Sequence, residues 1–328
     1  MILINQLKVV VMVFFLFPIS VYGQNEPFST SRYQGKKILY INSYYAGFEW
    51  SDGITRGVQE VLKNTGVQLK IVYMGAKHHP PGASKPAIAL SIKAIIEEFQ
   101  PDVVITSDND AAEYVIMPYY KNVVLPFVFC GINWDASIYG LPYQNVTGMV
   151  EVDFMTTILK HLREYARGDK IGFIAPEGFS TQNHVENYIK RLKIAFTKIY
   201  LVKTFQEWKQ RYLELQQQVD MLILFPPESL VGWDEAQMAS FIAQNTLIPS
   251  GAVHAWLMPY VLLGIAKVPE EQGAWAAQTA LKILDGTSPS EIPLTKNKRG
   301  KLFINLGLGN KLGIFFKLSL LKSAEIIR

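Results

Sequence analysis

The sequence predicts an α/β protein of two lobes, each a parallel sheet flanked by helices, and three observations carry that prediction. From Gly35 onward, short apolar β-branched runs alternate with stretches whose apolar residues recur at helical spacing, the pattern of parallel strands joined by crossover helices. Two runs, DVVITS (Asp102 to Ser107) and PFVFCG (Pro126 to Gly131), are continuously apolar, as strands covered on both faces are. Near Val146 to Phe154 (VTGMVEVDF) the chain makes an extended passage, after which the alternation starts again.

The elements follow in order. KILYINS (Lys37 to Ser43) is the first strand, and the helix after Ser51 and Asp52 carries Ile54, Val58, Val61 and Leu62 on one face. A second strand covers Leu69 to Met74, and Ile88, Ile92, Ile95, Ile96 and Phe99 mark an amphipathic helix that ends before Pro101. With the two buried strands these complete a doubly wound first lobe. In the second lobe, Asp153 is placed to cap a helix bearing Phe154, Ile158, Leu162 and Tyr165. KIGFIA (Lys170 to Ala175) is the next strand, followed by a helix with Val185, Tyr188, Leu192, Ala195 and Phe196 on one face. DMLILFPP (Asp220 to Pro227) is a strand stopped by its prolines, which cannot donate to a ladder. After Leu247 to His254 (LIPSGAVH), a helix through Trp275 to Leu284 ends at Asp285 and Gly286.

Composition narrows the class. Of 328 residues, 49% are apolar and 18% charged, which suits a folded globule, and a net charge of +4 is too mild to indicate nucleic acid. The one basic run, Lys296 to Lys301 (KNKRGK), reads as a solvated loop. Cys130 is the sole cysteine, so no disulfide forms within the chain, and a lone thiol in an apolar strand is a small packed hydrophobe. Lys8 followed by the apolar run Val9 to Ile19, with Val21 and Gly23 before Gln24, has the form of a cleavable secretory signal. The run is short for a bilayer span of roughly 20 residues. No cysteine follows the cut, so a periplasmic protein without a lipid anchor is expected.

Several strings taken together resemble the ABC-transporter substrate-binding family of the type I periplasmic-binding fold. They are ILYINSYYAGFEWSDGITRG (Ile38 to Gly57), PDVVITSDNDAAEYV (Pro101 to Val115), LPFVFCGIN (Leu125 to Asn133), VTGMVE (Val146 to Glu151), LIPSGA (Leu247 to Ala252), EQGAWAAQTALKILDG (Glu271 to Gly286) and NLGLGNKLGI (Asn305 to Ile314). The resemblance implies two Rossmann-like lobes joined by a three-crossover hinge, with ligand captured in the cleft between them. It places the crossovers near Thr147, Pro249 and Thr295. Lobe one would then comprise residues 31–146 and 250–285, lobe two residues 147–249 and 286–328, after a signal peptide over 1–23. Lys317 to Arg328 extends past the family pattern and is expected to form a terminal helix. The resemblance also implies a small-molecule ligand, a monomer and an inner-membrane ABC permease as partner. Relatives serve as input domains of membrane sensor kinases, so presentation of the closed form to a kinase or receptor is the alternative.

In doubly wound sheets ligands lie beyond the carboxyl ends of the strands. In lobe one those ends offer Ser43, Tyr44, Tyr45 and Trp50 with Phe48, then Ser107, Asp108 and Asn109, then Asn133 beside Trp134. Ser107 with Asp110 also fits a helix capping box. Asp108 and Asn109 suit a ligand ammonium or ring nitrogen, whereas free N–H groups at the same helix start favour a carboxylate. The aromatic cluster suits a flat ligand, although core packing explains any one of the rings more readily. From lobe two the facing candidates are Glu177, Phe179, Ser180, Glu228 and His254, with Glu228 also readable as a surface residue.

No catalytic centre assembles. Ser180 lies in GFST, which lacks the second glycine of a nucleophile elbow, and His78 and His79 are adjacent and precede Pro80 and Pro81, not spaced as helical metal ligands. His161, His184 and His254 show no ligand spacing. Gly307, Gly309 and Gly313 have neither the spacing nor the following chain of a dinucleotide fingerprint, and the sequon at Asn145 to Thr147 reads as the crossover entry. Neither a cofactor nor a metal is expected.

Overall fold

A computed structural model describes residues 32–76 and 84–328. The signal-peptide reading and the His78–His79 pair lie outside the described residues. Lobe one opens with β1 (Lys37–Asn42), α1 (Glu49–Leu62), β2 (Gln68–Tyr73), α2 (Ser84–Phe99) and β3 (Val103–Ser107). A helical stretch follows, α3 (Asp108–Ala111) running through a π turn (Ala112–Ile116) into α4 (Met117–Tyr119), and then β4 (Phe127–Asn133) and β5 (Val146–Glu151). Lobe two contains α5 (Met155–Arg163), β6 (Ile171–Pro176), α6 (Phe179–Lys190), β7 (Lys198–Val202), α7 (Phe205–Gln218), β8 (Met221–Leu224), α8 (Glu235–Asn245), β9 (Ser250–Ala252) and β10 (Leu263–Lys267). The chain then places α9 (Pro269–Leu284) and β11 (Thr295–Lys296) on lobe one. It finishes on lobe two with β12 (Gly300–Asn305), α10 (Leu306–Lys311), α11 (Leu318–Lys322) and β13 (Ala324–Ile327).

The lobe-one sheet has the order β11-β5-β4-β3-β1-β2 and the lobe-two sheet β13-β12-β10-β9-β8-β6-β7. Every pairing is parallel except β10 with β12. Both faces of the first sheet are covered. Leu39, Ile41, Val104 and Phe129 pack toward α2, while Ile38, Tyr40, Ile105 and Val128 pack toward α1 and α9. The continuous apolar strands of the sequence are this two-sided burial.

Five details differ from the sequence-based expectations. The second passage between lobes is at Lys267 to Pro269 and not near Pro249, because β9 and the short apolar β10 add to the lobe-two sheet; residues 250–267 therefore belong to lobe two. Residues 286–296 stay with lobe one, since β11 pairs with β5, and the third passage is the 296–300 stretch. The expected terminal helix is short: after Lys322 the segment turns into β13, whose Ile326 and Ile327 pair with Ile304 and Asn305. Asp153 does not cap α5, whose N-cap position is Phe154 with no side-chain bond. Finally, α6 stops at Lys190, so Leu192 and Phe196 reach the core from a loop and not from the helix face.

α1 and α9 cross on lobe one at unusually close range, and glycine makes that possible. A Cβ at Gly273 would sit 1.9 Å from the Ile54 carbonyl oxygen, and one at Gly57 would sit 2.3 Å from that of Glu270. Gly273→Ala should force the helices apart and cost about 1–3 kcal/mol or more of stability by overpacking, read as a lower midpoint in urea unfolding. An unchanged midpoint would show that the crossing is not close-packed.

Candidate functional site

The lobe-one wall is built from strand ends whose loops are tied down by buried polar side chains. Asn42, at the end of β1, accepts the Tyr44 N–H at 2.9 Å and the Ser51 hydroxyl at 2.9 Å through Oδ1, fixing both ends of the 43–51 loop. Asp52 closes the loop by accepting the Gly47 N–H at 2.9 Å. Within it Tyr44 stands edge-on to Phe48, centroids 5.5 Å apart, and Tyr45 lies 5.8 Å from the same ring. Trp50 donates its indole N–H to Asp108 Oδ1 at 2.9 Å.

Asp108 is buried and takes a left-handed backbone, φ +67°, beyond β3. Beside it β4 bulges at Gly131, φ +70°, where a Cβ would stand 3.1 Å from Asp108 Oδ1. Gln272 of α9 accepts the Gly131 N–H at 3.0 Å and holds the bulge in place. Asn109 Oδ1 accepts the Asn133 N–H at 2.9 Å, joining the ends of β3 and β4. The predicted capping box at Ser107 does not form: its hydroxyl accepts from Tyr40 OH at 3.1 Å, and Asp110 pairs with Lys85 at 2.6 Å. Ser43 takes the capping role, donating to the Ser107 carbonyl at 2.5 Å and accepting the Ala111 N–H at 2.9 Å. That N–H is therefore committed within the protein. Ser43 and Ser107 are structural supports of the wall, both fully buried.

At the hinge, Lys267 extends its ammonium between Glu151 and Asp153, 2.7 Å from Asp153 and in contact with Glu151, and lies 5.7 Å from the Trp50 ring centre. Asp153 Oδ2 also accepts from Tyr188 OH at 2.7 Å and lies 3.2 Å from His184 Nδ1. Burial opposes ionisation of Asp153, but Lys267 and then His184 outweigh it and hold the carboxyl well below the usual carboxylate range. For Glu151 burial wins over Lys267, and its affinity for a proton rises. Burial likewise pulls on Lys267, yet the two carboxylates prevail and keep it charged above its ordinary range. Burial raises the Tyr44 phenol well above its ordinary value, and Asp108, Asp110 and Glu151 add to the rise. The third passage is stitched to the first by Asn297, whose amide accepts the Val152 N–H at 2.7 Å and donates to the Val152 carbonyl at 3.1 Å.

In lobe two a run of rings starts at His184, beside Asp153 of the hinge. Trp134 of lobe one stands 6.2 Å from His184, which is 5.0 Å from Phe225; Phe225 is 5.1 Å from His254, and His254 is 4.8 Å from Trp256. Burial lowers His254 to about 3, so its imidazole is neutral at physiological pH. The structure does not bring the remaining lobe-two candidates into these contacts. Glu177 is exposed and pairs with Lys203 at 3.3 Å, while Ser180 and Glu228 are exposed. The side chain of Phe179 lies outside the described residues.

The arrangement offers flat apolar surfaces, neutral hydrogen-bonding groups and buried carboxylates, the kinds of group that line small-molecule sites. Sequence reasoning missed Lys267, Gln272 and the roles of Glu151, Asp153 and His184. Glu151 and Lys267 signal themselves only as lone charges at the ends of apolar runs, and Gln272 and His184 are ordinary polar residues of helices, all ambiguous until the chain folds. Among the described residues no group of three or more His, Cys, Asp or Glu side chains could hold a metal ion.

Lys267→Met should leave two buried carboxylates without their cation and cost about 3–5 kcal/mol at pH 7. Without the lysine both carboxyls bind protons more tightly in the folded state than in the unfolded chain, so acidification favours the variant's folded form. The deficit should therefore shrink as pH falls from 7 toward 4.5, measured by urea unfolding. A deficit independent of pH would contradict the buried cluster.

A family model for ABC transporter substrate binding proteins matches residues 49–327. Several solved structures are similar at low identity. One is the ABC domain from Streptococcus pneumonia in complex with L-Trp: 17% identity, TM-score 0.57, covering 89% of this chain and 99% of that one. Another is the ligand-free, open form of a substrate-binding protein with adhesive properties from Clostridium difficile: 18% identity, TM-score 0.68 and the same coverage. A third is a solute-binding protein from Bradyrhizobium sp. BTAi1 with bound bis-tris: 14% identity, TM-score 0.58, 85% and 84% coverage. No curated protein matches the chain. Two α/β lobes, three passages between them and a family match over most of the length agree: the chain has the type I periplasmic-binding fold and belongs to the ABC transporter substrate-binding protein family, a family of binding proteins and not of enzymes.

Proposed function

We propose that the protein is an extracytoplasmic solute-binding protein that captures an amino acid or an aromatic or heterocyclic metabolite between its lobes and delivers it to an ABC importer. The observation that carries this is the link through Lys267: its ammonium lies 5.7 Å from the Trp50 ring, beside which stand Asp108 and the Tyr44–Phe48 pair, and it pairs with Asp153, which His184 also contacts at the start of the ring run through Phe225, His254 and Trp256 of lobe two. Rings on both walls sandwich a flat ligand, and Asp108, with Asn109 and Asn133 nearby, supplies the polar end. Binding energy then favours the closed arrangement of the lobes, the form an importer reads. The L-Trp complex of a protein with this fold is consistent with a ligand of this size and flatness. In this reading the signal-like N-terminus directs the protein to the periplasm, with cleavage before Gln24. No helix among the described residues is long and apolar enough to cross a membrane.

A thermal-shift screen of the chain from Gln24 against amino acids, aromatic metabolites, nucleobases and short peptides tests the proposal. A ligand at 100 times its Kd adds about 2.7 kcal/mol of stability, so a saturable shift by one chemical class is expected. Asp108→Asn keeps a side chain that tolerates the left-handed backbone and removes only the charge. It should weaken binding of the hit at least about tenfold, roughly 1.4 kcal/mol, with little change in the unliganded melting temperature. No shift with any compound, or equal affinity in the variant, would contradict the proposed site.

A further inference from the structure

We infer that Trp134 and Asp135 form a latch that grips helix α6 and holds the two lobes together in the absence of ligand. Trp134 follows β4 and so belongs to lobe one, yet its indole packs against the lobe-two core. It stands edge-on to Tyr188 at 5.5 Å and 78°, and to His184 at 6.2 Å and 77°, both on α6. The next residue, Asp135, accepts a charge-assisted hydrogen bond of 2.5 Å from Arg191, immediately past the end of α6. One helix of lobe two is thus held at two points by consecutive residues of lobe one.

The backbone shows that the grip is costly to form. Trp134 has φ +62°, a left-handed conformation rarely taken by bulky side chains, and strain of this kind persists only where the surroundings over-determine it. Here the surroundings are the Trp134 N–H donated to the Glu151 carbonyl at 2.9 Å and the Asp135 N–H donated to the Asn133 carbonyl at 2.7 Å. Tyr188 and His184 are meanwhile bound to Asp153 at the hinge, so α6 is fixed between the hinge and the latch. Of the groups in the proposed ligand site only the His184 ring takes part in these contacts; Tyr44, Asp108 and His254 do not. The latch sets how far the lobes separate before a ligand arrives.

The test uses the ligand-free chain from Gln24 with spin labels at Gln59→Cys on α1 and Gln217→Cys on α7, both exposed sites, while Cys130 is fully buried. Electron–electron resonance distances then report lobe separation. Trp134→Gly removes the indole at a backbone conformation that glycine adopts freely, and Arg191→Gln removes the ion pair alone. The parent should show mainly the short separation. Trp134→Gly should raise the long-separation population at least about threefold, and Arg191→Gln should move it in the same direction, with Arg191→Lys restoring part of it. A parent already dominated by the long separation would overturn the latch. So would distributions unchanged in both variants, whatever happens to their melting temperatures. Because no ligand is present, these outcomes are independent of whether the thermal-shift screen finds one.

Discussion

The structure depends on one buried charge arrangement, the ammonium of Lys267 held between Glu151 and Asp153 where the chain passes between lobes. Taking three charges out of water costs several kcal/mol per ion, and only close, multiply bonded geometry offsets it. That geometry is available because Glu151 ends β5, Asp153 follows two residues later, and Lys267 ends β10, so the first and second passages are brought side by side. Asn297 adds the third by bonding both backbone groups of Val152. The hinge is therefore specified by polar groups that are satisfied only when the three passages meet. An apolar hinge of equal volume could be as stable without fixing that register.

The cleft floor inherits its rigidity from the same place. α9 begins two residues after Lys267 and is locked to α1 at the glycine crossing. From this pair of helices, Trp50 reaches up to the Asp108 carboxylate and Gln272 to the Gly131 N–H. The left-handed Asp108 and the bulge at Gly131 are thus braced from beneath by two helices that cannot slide past each other. Aromatic rings of the 43–51 loop sit on this floor, tied by Asn42. Side chains carried on braced strand ends have little freedom left to lose, and such preorganisation raises affinity wherever a ligand is taken.

Much of this was legible in the sequence because it rests on periodicity. Strands covered on both faces must be continuously apolar, so β3 and β4 announced themselves, and the positions just beyond them followed at once. The aromatic loop after β1 was equally plain. What could not be read were side chains whose partners lie far along the chain. Asp153 before a helix looks like a cap, and only Lys267, 114 residues later, makes it an ion-pair partner instead. Ser107 with Asp110 has the letters of a capping box, but the buried Ser43 hydroxyl satisfies the Ala111 N–H of the same helix start. The final segment spaces its leucines as a helix does, yet Ile326 and Ile327 find an open sheet edge at β12, and tertiary pairing overrides the local pattern. The boundary near Pro249 failed for a related reason, since β9 and β10 are short strands whose placement is decided by their neighbours.

The most direct measurement is a crystal structure of the chain from Gln24 saturated with the molecule that stabilises it best. The expected result is ligand density between the lobes, one face against Tyr44 or Trp50, the other toward His254 and Trp256, and a polar group within hydrogen-bonding distance of Asp108. Density on an outer surface, or between lobes but clear of Asp108 and both sets of rings, would contradict the assignment of the cleft as the binding site.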